Sequence, residues 1–147
     1  MLILLLAGWM LCVGGSDKPK IILRFHVQVP TAKMADEKNI LPIRLNDPPS
    51  VIFIHKQPDL TEADVVSVDR FENGRVLITF NQAGKEKLEM LTRINMGAVL
   101  VVILNDEVVY SPVIDMVLMS GRFLIPEGVS SESVQSLRAV VGGNRAF

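Results

Sequence analysis

The side chains that could carry metal, nucleophilic or acid–base chemistry are His26 and His55, the single cysteine Cys12, and the carboxylates Asp64, Asp69, Glu107 and Asp115. Their spacing argues against each use. The histidines fall in different predicted strands with no third histidine and no acidic pair beside them, so no zinc-type ligand set forms. Both read as surface strand histidines; the sharper alternative is a transient metal or pH-sensing pair. Two carboxylates share acid–base work only if folding holds them about 5 to 10 Å apart around a cleft, and at turn and strand ends they more often cap backbone or face water. Ser111 stands before Pro112 without the glycine elbow or histidine partner of a nucleophilic serine, and there is no glycine-rich phosphate loop. We therefore expect no catalytic residue, no metal site and no cofactor.

The methionines suggest a different activity. There are seven, and Met116-Val117-Leu118-Met119 is a run of four apolar residues, more than one buried strand face can take. Part of this run is expected at the surface, as a protein-interaction patch with methionine adapting to varied side chains. An open strand edge beside it would hold an extended polypeptide through main-chain hydrogen bonds. The candidate protein-binding residues are Tyr110, Met116, Leu118, Met119 and Arg122. The alternative is that the stretch bends into the core between two strands.

Composition limits what must position these residues. The chain has 147 residues, net charge −1, 49% hydrophobic and 21% charged residues, enough for one core and not two. With no long basic run, nucleic acid is not an expected partner. One cysteine forbids an internal disulfide, so the hydrophobic core must hold the fold.

Met1 to Val13 is apolar apart from Gly8 and gives way to Gly14-Gly15-Ser16-Asp17-Lys18. As a helix these residues reach about 20 Å, short of the ~30 Å hydrocarbon slab, so the segment reads as an export signal. Val13 and Gly15 supply the small residues at −3 and −1, placing cleavage after Gly15. No basic residue precedes Lys18, which leaves room for a start further upstream. Cys12 follows Leu11, where a lipoprotein site wants a small residue. Membrane association is expected only through this leader or through a lipid on Cys12. The other reading is a buried N-terminal helix.

Beyond the leader the pattern is α+β, a small mixed or antiparallel sheet with two main helices packed on one face. Residues 21–29 alternate with period two, as a half-buried strand does. Pro30 to Pro49 reads as a long surface loop with a short extended piece around Ile40 to Leu45, and Val51 to Lys56 as a second strand. Thr61 to Asp64 reads as one helical turn. Val65 to Asp69 and Arg75 to Phe80 flank Glu72-Asn73-Gly74, a strong hairpin signal. A helix capped by Asn81 runs to about Asn95, with Ala83, Leu88, Leu91 and Ile94 as its inward stripe. Ala98 to Leu104 and Glu107 to Ile114 form a hairpin about Asn105-Asp106, and Arg122 to Ile125 is a further strand. A last helix from Ser130 or Ser131 turns Val134, Leu137 and Val141 inward and ends at Gly142-Gly143.

Taken in order, Leu60 to Asp64, the Gly74 hairpin, Val76 to Lys85, Leu91 to Gly97, Leu104 to Ile114 and Ser120 to Ile125 resemble the head subdomain of the first large periplasmic domain of SecD and SecDF. The resemblance covers about Val51 to Val141. Its most specific piece is Glu107-Val108-Val109 leading to Ser111-Pro112-Val113-Ile114, then Gly121-Arg122. Asn105-Asp106 replaces the family's usual Asp-Gly, Ser120-Gly121-Arg122 its Gly-Gly-Arg, and Pro126 to Val129 a more regular segment. The family draws work from a proton gradient through a multi-helix membrane domain, and no second hydrophobic segment here is long enough to span. The expected organisation is a signal peptide over 1–15, an N-terminal strand and loop over 16–50, and a stand-alone head-like domain over 51–147. The resemblance implies a periplasmic, non-catalytic accessory in protein export, with unfolded preprotein or translocase components as partners. The competing class is a structural or regulatory envelope module, an inhibitor or assembly subunit, unrelated to translocation.

Overall fold

The computed structural model describes residues 22–30 and 37–143; the predicted leader, Cys12 and the predicted cleavage boundary lie outside them. The architecture is α+β, as the sequence pattern implies, and every strand pairing is antiparallel among the described residues. Strands β1 (Leu23–Val27), β4 (Leu60–Thr61), β7 (Leu100–Leu104) and β8 (Glu107–Tyr110) form a sheet in the order β4-β1-β7-β8. Strands β5 (Val65–Arg70), β6 (Val76–Phe80) and β9 (Arg122–Ile125) form a second, ordered β5-β6-β9. A separate hairpin joins β2 (Ile40–Asn46) to β3 (Pro49–His55).

β7 is apolar throughout because both its faces are covered. Leu100, Val102 and Leu104 enter the main core, while Val101 and Ile103 lie under the β2–β3 hairpin with Leu45, Ile52 and Ile54. Helices α1 (Gln82–Ile94) and α2 (Ser131–Gly143) pack on the main core through Leu88 and through Val134, Leu137 and Val141. Phe25 on β1 meets Phe80 and Phe123 edge-to-face, with ring centroids 5.4 and 5.2 Å apart, and so joins the two larger sheets.

Local signals in the sequence are realised where they are self-contained. The Asn81 side chain accepts the Gly84 N–H at 2.8 Å and caps α1. Thr61 and Asp64 form a reciprocal capping box around the short 3-10 turn at Glu62–Asp64. Asn105 and Asp106 both take positive φ, 50° and 65°, which makes the tight β7–β8 turn.

Three expectations are corrected. The stretch before Pro49 is less of a loop than expected: the extended piece at Ile40 to Leu45 is a full strand, Ile40 to Asn46, paired with Pro49 to His55 over seven residues, and Pro42 is tolerated because β2 is an edge strand. The inward stripe of α1 is rotated, since Ile94 is 70% exposed and Ala83 is exposed, while Gly84, Leu88 and Thr92 are buried. His26 is not at the surface but 1% exposed, because the unanticipated hairpin covers its face of β1. His55 is exposed.

Candidate functional site

The chain between β8 and β9 has no regular secondary structure, yet it is fixed at several points. Leu100 N–H donates to the Pro112 carbonyl at 2.9 Å, Ile114 N–H to Ala98 at 2.8 Å and Gly97 N–H to Ile114 at 2.8 Å. These bonds carry the chain alongside the entry to β7. It then crosses α1, where Leu118 N–H donates to Thr92 Oγ1 at 3.0 Å. The Thr92 hydroxyl in turn donates to the Leu88 carbonyl at 2.9 Å, so a buried polar side chain is satisfied on both sides. At Gly121, with φ +70°, an added Cβ would lie 3.0 Å from Lys85 Cγ. Glycine lets the chain turn there and enter β9, with the Gly121 carbonyl accepting from Phe80 N–H at 2.8 Å.

Bridging in this way from the β7–β8 hairpin to β9 leaves a cavity of about 310 Å³ beneath the segment. Leu100, Tyr110, Ile114, Leu118 and Phe123 give it apolar walls, with the Tyr110 and Phe123 rings tilted against one another at 5.9 Å. Arg122 and Asp115 bring opposite charges to its lining, and both are exposed. Met116 and Val113 also line it and are 59% and 57% exposed.

Four of the five nominated residues, Tyr110, Met116, Leu118 and Arg122, thus line one cavity. Met119, 60% exposed, is on the same segment but outside the lining. The apolar run divides its roles: Val117 and Leu118 are half-buried, with Leu118 packed on the main core, and the methionines at either end face solvent. Val113 and Thr92 were missed. Val113 was legible only as part of the Ser111-Pro112-Val113-Ile114 piece, which carries the family resemblance and no site role of its own. Thr92 carried one in retrospect, since it follows Leu88 by four residues and shares its helix face.

Asp64 is buried as a cap and accepts Lys87 Nζ at 2.8 Å, and Asp69, Glu107 and Asp115 are exposed. Among the described residues no three His, Cys, Asp or Glu side chains converge on a point that could hold a metal. A broader depression of about 650 Å³ next to His55, Lys56 and Asp59 is more polar. Burial raises the Asp59 carboxyl above its ordinary range, against the pull of the Val27 N–H bond and the His55 charge.

The family model for the SecDF P1 head subdomain matches residues 38–144. Protein translocase subunit SecDF of Thermus thermophilus is 36% identical over 88 residues, covering 57% of this chain and 12% of that protein. The chain therefore corresponds to a small part of the relative's length. Two solved structures share the fold. A SecDF crystal structure in a super-membrane-facing form has a TM-score of 0.56 at 24% identity, over 82% of this chain and 18% of that one. A second, of SecDF described as a membrane component that enhances protein export, has a TM-score of 0.55 at 23% identity, over 82% and 61%. No helix among the described residues is long and apolar enough to cross a membrane. With the family model spanning most of the chain and the same fold in both structures, this chain belongs to the SecDF P1 head subdomain family.

Proposed function

We propose that this chain is an exported, non-catalytic domain of the bacterial cell envelope that binds segments of unfolded polypeptide as an accessory in protein export. The observation that carries the reading is the cavity under residues 111–121, whose lining includes the exposed side chains of Met116 and Val113. A volume of about 310 Å³ accepts one or two large apolar side chains, and methionine at the rim adapts to a client whose sequence varies. Beside it, β9 is the outer strand of its sheet, so an extended client has main-chain groups to pair with.

Family membership supports the same direction. The Thermus relative is named a translocase subunit, and one structural relative is described as enhancing export. The partners that follow are preprotein in transit and translocase components, with no nucleic acid and no small-molecule cofactor. The apolar leader over residues 1–15 supports delivery to the periplasm. The test is a photo-crosslinking amino acid at Val113 in the full chain, activated while the host exports a slowly translocating preprotein. Adducts with the preprotein are expected. Adducts confined to a folded envelope protein would overturn the reading in favour of an assembly module.

A further inference from the structure

Along β1, Leu23, Phe25 and Val27 enter the main core, and Arg24 and His26 occupy the opposite face beside Ile103 and Val101 of β7. The β2–β3 hairpin covers that face, with Leu45, Ile52 and Ile54 closing over Val101 and Ile103. His26 sits in this seam at 1% exposure, and neither Nδ1 nor Nε2 has a hydrogen-bond partner. The main chain of His55 comes close enough to the ring to favour its protonated form, against the larger opposing effects of burial and Arg24. A histidine so placed is a filler while neutral and a buried cation without an acidic partner once protonated.

The hairpin is attached lightly. Ile54 bridges to Gln28, and Val29 N–H donates to the Phe53 carbonyl at 2.7 Å. The small core beneath it holds five buried residues, against twenty in the main core, which includes no residue of the hairpin. Opening the seam would therefore let water reach His26 without disturbing the packing of the helices.

No acidic side chain pairs with the ring, and the one stabilising influence on its protonated form is the main chain of His55. Arg24, two residues along the same strand face, is cationic and pairs with Asp106 at 3.0 Å. His55 on β3 adds a second imidazole. Asp59, ahead of β4, directs Oδ2 to the Val27 N–H at 3.0 Å. β7 presents only Val101 and Ile103 to this face.

We propose that His26 is an acid-sensitive latch, whose protonation releases the β2–β3 hairpin from the four-stranded sheet while the main core stays folded. Burial, followed by the charge of Arg24, lowers the docked ring to a pKa of about 4 from an ordinary 6.5. Release lifts the burial, the larger cause, and returns the ring toward its ordinary value although Arg24 stays beside it, so the balance shifts toward the open form by about tenfold or more between pH 7 and pH 4.5. Leu45, Ile52 and Ile54 would then be bared, forming an apolar surface separate from the cavity under residues 111–121.

Hydrogen exchange on the full chain at pH 7 and pH 4.5, corrected for the intrinsic pH dependence of exchange, tests this. Amides of residues 40–55 should lose at least tenfold protection relative to those of β6 and α2, and His26→Leu should keep the hairpin protected at both pH values. Should that variant fail to fold, an NMR titration of the wild-type ring replaces it, with protonation of His26 expected to coincide with hairpin opening. A hairpin that stays protected at pH 4.5, or opens only together with β6 and α2, would overturn the proposal. So would equal opening in His26→Leu, or a ring that titrates without any change in the hairpin.

Discussion

The Thr92 hydroxyl accepts the Leu118 N–H at 3.0 Å while donating to the Leu88 carbonyl, so one buried side chain ties an irregular surface segment to the helix beneath it. The cavity exists because this segment is held above α1 at a fixed height. Thr92→Val keeps the shape of the side chain and leaves the partly buried Leu118 N–H unpaired, which should cost about 1 to 2 kcal/mol. Thr92→Ser retains the hydroxyl and should recover most of the loss. Urea midpoints of the two variants check this, and equal stability of Thr92→Val and wild type would mean that the bond does not hold the segment.

The rotated stripe of α1 gives a paired expectation. Leu88 is fully buried, and Leu88→Ala should destabilise by about 2 to 5 kcal/mol through lost transfer energy and a residual cavity. Ile94→Ala, at a position 70% exposed, should change stability by no more than about 0.5 kcal/mol. Comparable losses from both substitutions in denaturant titrations would return the helix to the face its apolar periodicity suggests.

Two glycines should respond for different reasons. Gly74 has φ +84° with open space around it, so Gly74→Val should cost more than about 1 kcal/mol from backbone strain, and Gly74→Asn considerably less. At Gly84 an added Cβ would stand 2.7 Å from the Asp64 carbonyl oxygen. Gly84→Ala should thus destabilise by about 1 to 3 kcal/mol despite alanine's better helix propensity. Thermal melts of the three variants separate strain from overlap.

Much of this fold was legible because its signals are local. The Asn81 cap, the Asn105-Asp106 turn and the β-branched run of β7 each state their structure within a few residues. The two extended pieces of the β2–β3 hairpin were legible but their pairing was not, since Pro42, Pro48 and Pro49 interrupt the alternation that would have announced it. Burial of His26 depended on that hairpin and was lost with it. The site was legible in part for the same reason. An excess of apolar residues in Met116 to Met119 marks a surface, but the cavity depends on a bond between Thr92 and Leu118, twenty-six positions apart.

Stability should depend on pH through the buried imidazole. The folded His26 titrates near 4 and the unfolded one near 6.5, so the unfolded state binds the extra proton between these values. Stability is then full above about pH 6.5 and falls as pH drops toward 4, by at most about 3 kcal/mol. Asp59 has the opposite sign, because its folded carboxyl titrates above the ordinary 3.8. Its stabilising share is complete below 3.8 and lost as pH rises from there, so it counters His26 only at the acid end. Urea unfolding at pH 7 and pH 5 should show lower stability at pH 5, and His26→Leu should remove most of that difference.

Affinity for an unfolded client, measured on the Met116→Asp, Met119→Asp double variant, tests the binding account most directly. Both side chains are about 60% exposed, so the thermal midpoint should stay close to wild type. Binding to a permanently unfolded, cysteine-free client peptide, followed by fluorescence anisotropy, should weaken tenfold or more, since ~1.4 kcal/mol suffices for that and two lost apolar contacts supply it. A folded double variant that binds the client as tightly as wild type would contradict the assignment of this surface to unfolded polypeptide.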